Sequence, residues 1–179
     1  WYFEGDAVMS ETALTEQGRG RIPAFYQGYR SILGTENTYS YMKARNGSYK
    51  DAIPDHYPLG YLLCKYGREE YGDDLWMRVI KGTANFQGIV FPFSKALRRI
   101  TTHSTRSFYN SAMLKYQDDW SNQLQTLVSI PAQTINIESR TVTFYKHPLF
   151  EKEKGSLLVY KYSFKQTGAK YKPMVLNPK

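Results

Sequence analysis

One cysteine, Cys64, occurs in 179 residues. An internal disulfide framework and a multi-cysteine metal centre are therefore excluded. The three histidines, His56, His103 and His147, are isolated from one another. No apolar run approaches the ~20 residues that a membrane-spanning helix needs. Hydrophobic residues make up 41% and charged residues 22%, an ordinary globular balance that argues against intrinsic disorder. The chain opens at Trp1, without Met, a basic n-region or a signal-like apolar core, and reads as a piece of a longer protein. No repeat of fixed period is visible.

What is abundant is aromatic: 16 Tyr, 9 Phe and 3 Trp. Basic residues outnumber acidic ones, 24 to 16, for a formal charge of +8. That charge is uneven. Residues 140–179 hold nine basic side chains and two acids (+7), whereas residues 1–139 hold fifteen and fourteen (+1). The basic end interleaves aromatics such as Tyr160 and Tyr162 that could stack on bases. A small sheet with one packed face and one Lys-rich solvated face explains the same pattern, and the near-neutral remainder argues against a nucleic-acid partner.

The pattern predicts a mainly α fold followed by a short antiparallel β segment, divided as 1–128 and 129–179. Trp1 to Leu14 reads as a helix with Phe3, Ala7, Val8 and Leu14 on one face. Pro23 opens a second helix that stops at Gly34. Tyr39 to Ala44 is short, with the Asn46-Gly47 turn after it. Asp55 caps the clearest helix, which carries Leu59, Leu62, Leu63 and Tyr66 and ends at Gly72. Asp73 is the expected cap of the next helix, which carries Leu75, Trp76, Val79, Ile80 and Phe86 up to Gly88. Pro92 to Thr101 follows, and Ser104 starts the longest helix, with Phe108, Ala112, Tyr116, Trp120 and Leu124 near i, i+4 spacing. After Pro131 the grammar becomes that of strands: 141–145, 156–162 and 172–176, with Lys154-Gly155 as a hairpin signal.

Three acids lie in the first helix: Glu4, Asp6 and Glu11. Hard or borderline metals take such carboxylates, and the helix macrodipole also favours acids near its N-terminus. Gly5, beside Glu4, lets another backbone pack close. Asp55-His56-Tyr57 reads either as a helix cap with packed aromatics or as a donor group in which Asp55 orients His56. Cys64 sits among apolar residues and reads as an inert buried thiol. His103 precedes a helix, and His147-Pro148 reads as extended edge strand.

Trp1-x-x-Glu4-Gly5-x-Ala7 resembles the W-x-x-E-G-x-A segment of gluzincin-type (peptidase MA-like) zinc metallopeptidases. The ordered residues Tyr57, Gly60-Tyr61-Leu62-Leu63, Tyr66-Gly67, Tyr71-Gly72 and Leu75 resemble a later helix pair of that group, and Pro92-Phe93-Ser94-Lys95-Ala96-Leu97 a later segment. WYFEGDAVMSETAL with GRGR and PDHYPLGY is similar to bacterial envelope proteins that join such a domain to a TolB-like β-propeller. The likeness covers roughly residues 1–125 well and 140–179 loosely. It implies the C-terminal part of a zincin-like domain, then the start of a propeller, in the periplasm or outside the cell.

In that family an H-E-x-x-H helix supplies two zinc-binding histidines and the general base, and the E-G-x-A glutamate is the third ligand. Glu4 matches that glutamate. His56, Tyr57 and Tyr61 match the region from which such enzymes draw a donor for the oxyanion. The departure is that no H-E-x-x-H occurs in this chain. Zinc is thus expected only in the full-length protein, with peptide or protein as substrate, and the chain alone is expected to be inactive. The alternative is a non-catalytic scaffold that binds protein or glycan at the cell envelope.

Overall fold

A computed structural model describes residues 1–35, 38–85, 90–128, 143–153, 156–165 and 168–176, with backbone alone for 162–165 and 168–176. The protein is mainly helical, with a short antiparallel sheet at its C-terminal end. The helices are α1 (Tyr2–Leu14), α2 (Pro23–Leu33), α3 (Tyr41–Asn46), α4 (His56–Tyr71), α5 (Leu75–Ala84), α6 (Pro92–Thr101) and α7 (Thr105–Thr126). A 3-10 turn at Arg19–Arg21 links α1 to α2. Strands β1 (Thr143–Glu151), β2 (Ser156–Lys165) and β3 (Gly168–Leu176) pair in that order. Two compact units result, Trp1–Leu127 and Val128–Lys179.

Short-range chemistry sets most helix ends. Pro23 and Pro92 each occupy a first turn, where their missing N–H is not needed. Asp55 Oδ1 accepts the Tyr57 N–H at 2.9 Å, which satisfies one free donor of α4. Ser104 does the same for α7, accepting the Ser107 N–H at 3.2 Å. Gly72 ends α4 at φ 93°, a left-handed backbone that suits glycine. The starts of α3 and α5 differ from the sequence reading, α5 ends at Ala84 with Asn85 extended, and the strands run longer than 141–145, 156–162 and 172–176 at one end or the other. α3 starts at Tyr41 because the Ser40 side chain caps it. α5 is preceded by Asp74 rather than Asp73, and Asp74 makes no capping bond there; its carboxylate instead pairs with Arg78 at 3.3 Å. The expected Phe86 and Gly88 positions, the 154–155 hairpin and residues 131–142 lie outside the described residues.

The core forms around α4. Leu59, Leu62, Leu63, Tyr66 and Cys64 of that helix are buried together with Val8, Leu75, Val79, Leu97 and Phe108. α1 does not present the face its apolar residues suggest. Phe3 and Leu14 are 78% and 84% exposed, and the buried residues are Gly5 and Val8. Backbone proximity decides this. A Cβ at Gly5 would sit 2.1 Å from the Gly60 carbonyl carbon, so the two helices cross glycine on glycine. The long helix α7 buries Phe108, Ala112, Tyr116 and Trp120 as its spacing predicts, but Leu124 is exposed.

Many tyrosines build this core, and the hydroxyls of Tyr61, Tyr109 and Tyr116 reach backbone carbonyls of other segments. Tyr116 donates to Leu62 O at 3.0 Å and Tyr109 to Tyr39 O at 2.9 Å. Burial pushes the phenols of Tyr2, Tyr66 and Tyr109 up to about 12. It raises Tyr116, Tyr29 and Tyr61 as well. Between the ordinary phenol value near 10 and these raised values, the unfolded chain binds fewer protons than the folded one. Stability is therefore expected to be flat with respect to these groups below pH ~10 and to fall as pH rises from about 10 to 12. Urea midpoints measured across that range check it, and Tyr109→Phe should make the decline shallower; a flat profile would contradict the burial of these phenols.

In the sheet, β1 pairs β2 from Thr143↔Ser163 to Glu151↔Ser156, with a register shift between Lys146 and Leu149. One extra residue on β1 makes this a bulge. His147 there has φ 53°, so it is left-handed and not the extended edge residue expected. Pro148 cannot donate to a ladder, and a bulge is where a strand tolerates it. β3 pairs the other side of β2, from Leu157↔Leu176 to Lys165↔Gly168.

Candidate functional site

The three acids of α1 have different fates. Glu11 is held by Arg19: its Oε2 lies 2.8 Å from the guanidinium and its Oε1 accepts the Arg19 backbone N–H at 3.0 Å. Those bonds keep the Glu11 carboxyl below its ordinary value. Asp6 pairs with Arg68 across to α4 at 3.2 Å. Glu4, half-buried, makes no hydrogen bond or ion pair with the described residues, although its charge reaches Arg19.

Arg19 is the centre of the site and was missed by the sequence reading. Its guanidinium lies over the Tyr57 ring at 5.4 Å and over Phe25 at 6.0 Å. Two elements place it: the turn after α1, which Glu11 clamps, and the first turn of α4, which carries Tyr57. The signal available in the sequence was an acid followed eight residues later by the arginine of a Gly-Arg-Gly-Arg turn, but spacing alone does not say which acid closes on it. Around Arg19 the fold gathers Tyr57 and, through Tyr57, His56, whose exposed ring stacks on Tyr57 at 4.6 Å, while Glu4 lies only within reach of the Arg19 charge.

The expected donors separate. Asp55 bonds the Tyr57 backbone and does not orient His56. Tyr61 is buried, and its hydroxyl donates to Gly20 O at 3.3 Å. Its ring also closes over Gly20, where a Cβ would come within 2.4 Å of Tyr61 Cζ. That tyrosine anchors the turn carrying Arg19, which leaves Tyr57 and His56 as accessible donors. Cys64 is fully buried, as expected, and burial raises its thiol well above the ordinary range, which disfavours the reactive thiolate.

A zinc centre takes three or four N, S or O ligands. Among the described residues no three His, Cys, Asp or Glu gather for it. Glu4 offers one carboxylate toward such a centre. Elsewhere in the helical unit, a cleft of about 500 Å³ lies between α2, α3 and α7, lined by Tyr29, Tyr39, Tyr41, Tyr109 and Asn110 among others. The buried Tyr29 hydroxyl has no hydrogen-bond partner among the described residues.

No candidate membrane span occurs among the described helices. Comparison with protein-family models, with curated proteins and with solved structures finds no match to this chain.

Proposed function

We propose that the helical unit Trp1–Leu127 is part of a gluzincin-like zinc peptidase domain of a bacterial envelope protein. Glu4 is its third zinc ligand, Tyr57 and His56 are its oxyanion donors, and the other two ligands and the general base come from an H-E-x-x-H segment outside this chain. Zinc, when bound, supplies an activated water for attack on a peptide carbonyl. Glu4 contributes one negative oxygen donor. Arg19 keeps a fixed positive charge near that carboxylate and near Tyr57. The observation that carries this reading is the unpaired state of Glu4 on a helix whose other two acids are both paired. A carboxylate held half-buried without a partner is available as a ligand.

Zinc titration of the full-length protein tests it. Glu4→Gln is expected to weaken zinc binding at least about tenfold, since it removes one of three protein ligands, while Asp6→Asn leaves it within about twofold. Unchanged affinity for Glu4→Gln refutes the ligand role. Absence of H-E-x-x-H in the ~30–60 residues of the reading frame before Trp1 refutes the peptidase reading and leaves a scaffold that binds protein or glycan.

A further inference from the structure

From Leu75 to Gln117 the chain carries seven basic side chains and no acid. Two of them, Arg78 and Lys115, are neutralised by Asp74 and Asp119, which flank the stretch. Lys81, Lys95, Arg98 and Arg106 make no ion pair with the described residues, and Arg99 adds a further positive charge. The near-neutral total of residues 1–139 therefore hides a cationic segment.

Helix α6 gives this charge a shape. Ala96, Leu97 and Thr101 are buried, and Phe93 and Ile100 pack against the core. The opposite stripe carries Lys95, Arg98 and Arg99, spaced i, i+3 and i+4, and all three are exposed, as are Phe91 and Thr102, the left-handed residues that bound the helix. At its head Phe91 is 75% exposed and the preceding Val90 55% exposed. Phe91 also has φ 54°, a left-handed backbone that a bulky aromatic rarely adopts. Such strain persists only when surroundings enforce it, and it clusters at functional positions. Packing of the Phe91 side chain does not account for it, because that side chain faces solvent.

We propose that this stripe of α6 docks on an anionic membrane surface, with Phe91 and Val90 entering the headgroup–acyl boundary and Lys95, Arg98 and Arg99 meeting lipid phosphates. An apolar tip followed by a basic stripe is the chemistry that such an interface takes: the acyl boundary accepts the aromatic, and the lipid charge attracts the lysine and arginines. A polyanion without apolar or aromatic surface would satisfy the charges alone and would have no use for an exposed Phe. The inference is independent of the zinc-site reading, since it uses none of its residues.

The test is co-sedimentation of the 179-residue chain with vesicles of mixed phosphatidylglycerol and phosphatidylcholine, against vesicles of phosphatidylcholine alone. Binding is expected to the first, to weaken with salt, and to be small to the second. Because the basic strands also attract anionic lipid, the variants decide. Lys95→Gln with Arg98→Gln is expected to lower the partition about thirtyfold, at the usual strength of a basic side chain near such a surface. Phe91→Ser should lower it about tenfold. All three side chains are exposed, and unchanged helical circular dichroism confirms that the variants remain folded. Binding that is insensitive to the α6 charges overturns the proposal. So does loss with the charge variant but none with Phe91→Ser, which would mark a contact made by charge alone, as with a phosphate backbone.

Discussion

Phe108→Ala is expected to destabilise the protein by about 3–5 kcal/mol, the range for emptying a fully buried aromatic site. Phe108 has no exposed surface and sits where α7 meets α4 and α5. Its ring lies 5.1 Å from Tyr66, 5.7 Å from Trp76 and 6.0 Å from Tyr71, the first two edge-on. Two losses add in the variant. One is the transfer of the ring itself from water. The other is the cavity, which three large aromatics on two different helices cannot close by a small shift. At about 2–4 °C per kcal/mol for a chain of this size, the thermal midpoint should fall by roughly 6–20 °C. Phe108→Leu keeps most of the volume and should stay below about 1.5 kcal/mol. Urea denaturation followed by circular dichroism measures both. A loss under about 1 kcal/mol for the alanine variant would mean that the aromatic cluster repacks.

Gly60→Ala sets two effects against each other. Alanine is favoured over glycine in a helix by about 1 kcal/mol. Against this, the new Cβ would lie 2.2 Å from Trp1 O and 2.8 Å from Gly5 Cα. Both are backbone atoms, so no rotamer change relieves the clash and α1 must move away from α4. Overpacking of this kind typically costs 1–3 kcal/mol and more when backbone has to shift. The clash wins, and a net loss of about 2 kcal/mol or more is expected in the same denaturation assay. Gly82→Ala is the contrast: its Cβ would meet Ala96 alone, at 3.2 Å from Cβ and 4.0 Å from Cα. Its effect should stay within about 1 kcal/mol. Equal behaviour of the two variants would contradict the close crossing. Because α1 carries Glu4 and α4 carries Tyr57, Gly60→Ala also disturbs the candidate site through geometry alone.

Most of the element plan was legible because its causes are local. A proline in a first turn, an Asp or Ser whose side chain reaches the N–H two or three residues on, and a glycine able to take a positive φ act within one turn of the chain. The pairs Pro23 with Gly34, Asp55 with Gly72, and Ser104 before Phe108 bound their helices as expected. The misses are also local. At the start of α5 the Asp74 carboxylate pairs with Arg78 one turn on instead of capping the helix, and at His147 a bulge beside Pro148 turns the backbone out of the strand region. The candidate site was only half legible. Glu4, His56 and Tyr57 stood out as residues, but Arg19 did not, and Tyr61 turned out to be an anchor.

By itself the sequence determined the composition class, the change from helical to strand periodicity after the helices, and the residue types able to do chemistry. It also held the acid-free segment from Leu75 to Gln117, which a net charge taken over 139 residues conceals. The tertiary structure alone decided which face of α1 is buried, which acids find a cation, and which tyrosines spend their hydroxyls on a carbonyl. The physical reason is range. Caps and periodicity are settled between neighbours in the chain. Ion pairs such as Asp6 with Arg68, and contacts such as Gly5 with Gly60, join residues more than fifty positions apart. Their formation depends on how closely two helices approach, and no local pattern encodes that distance.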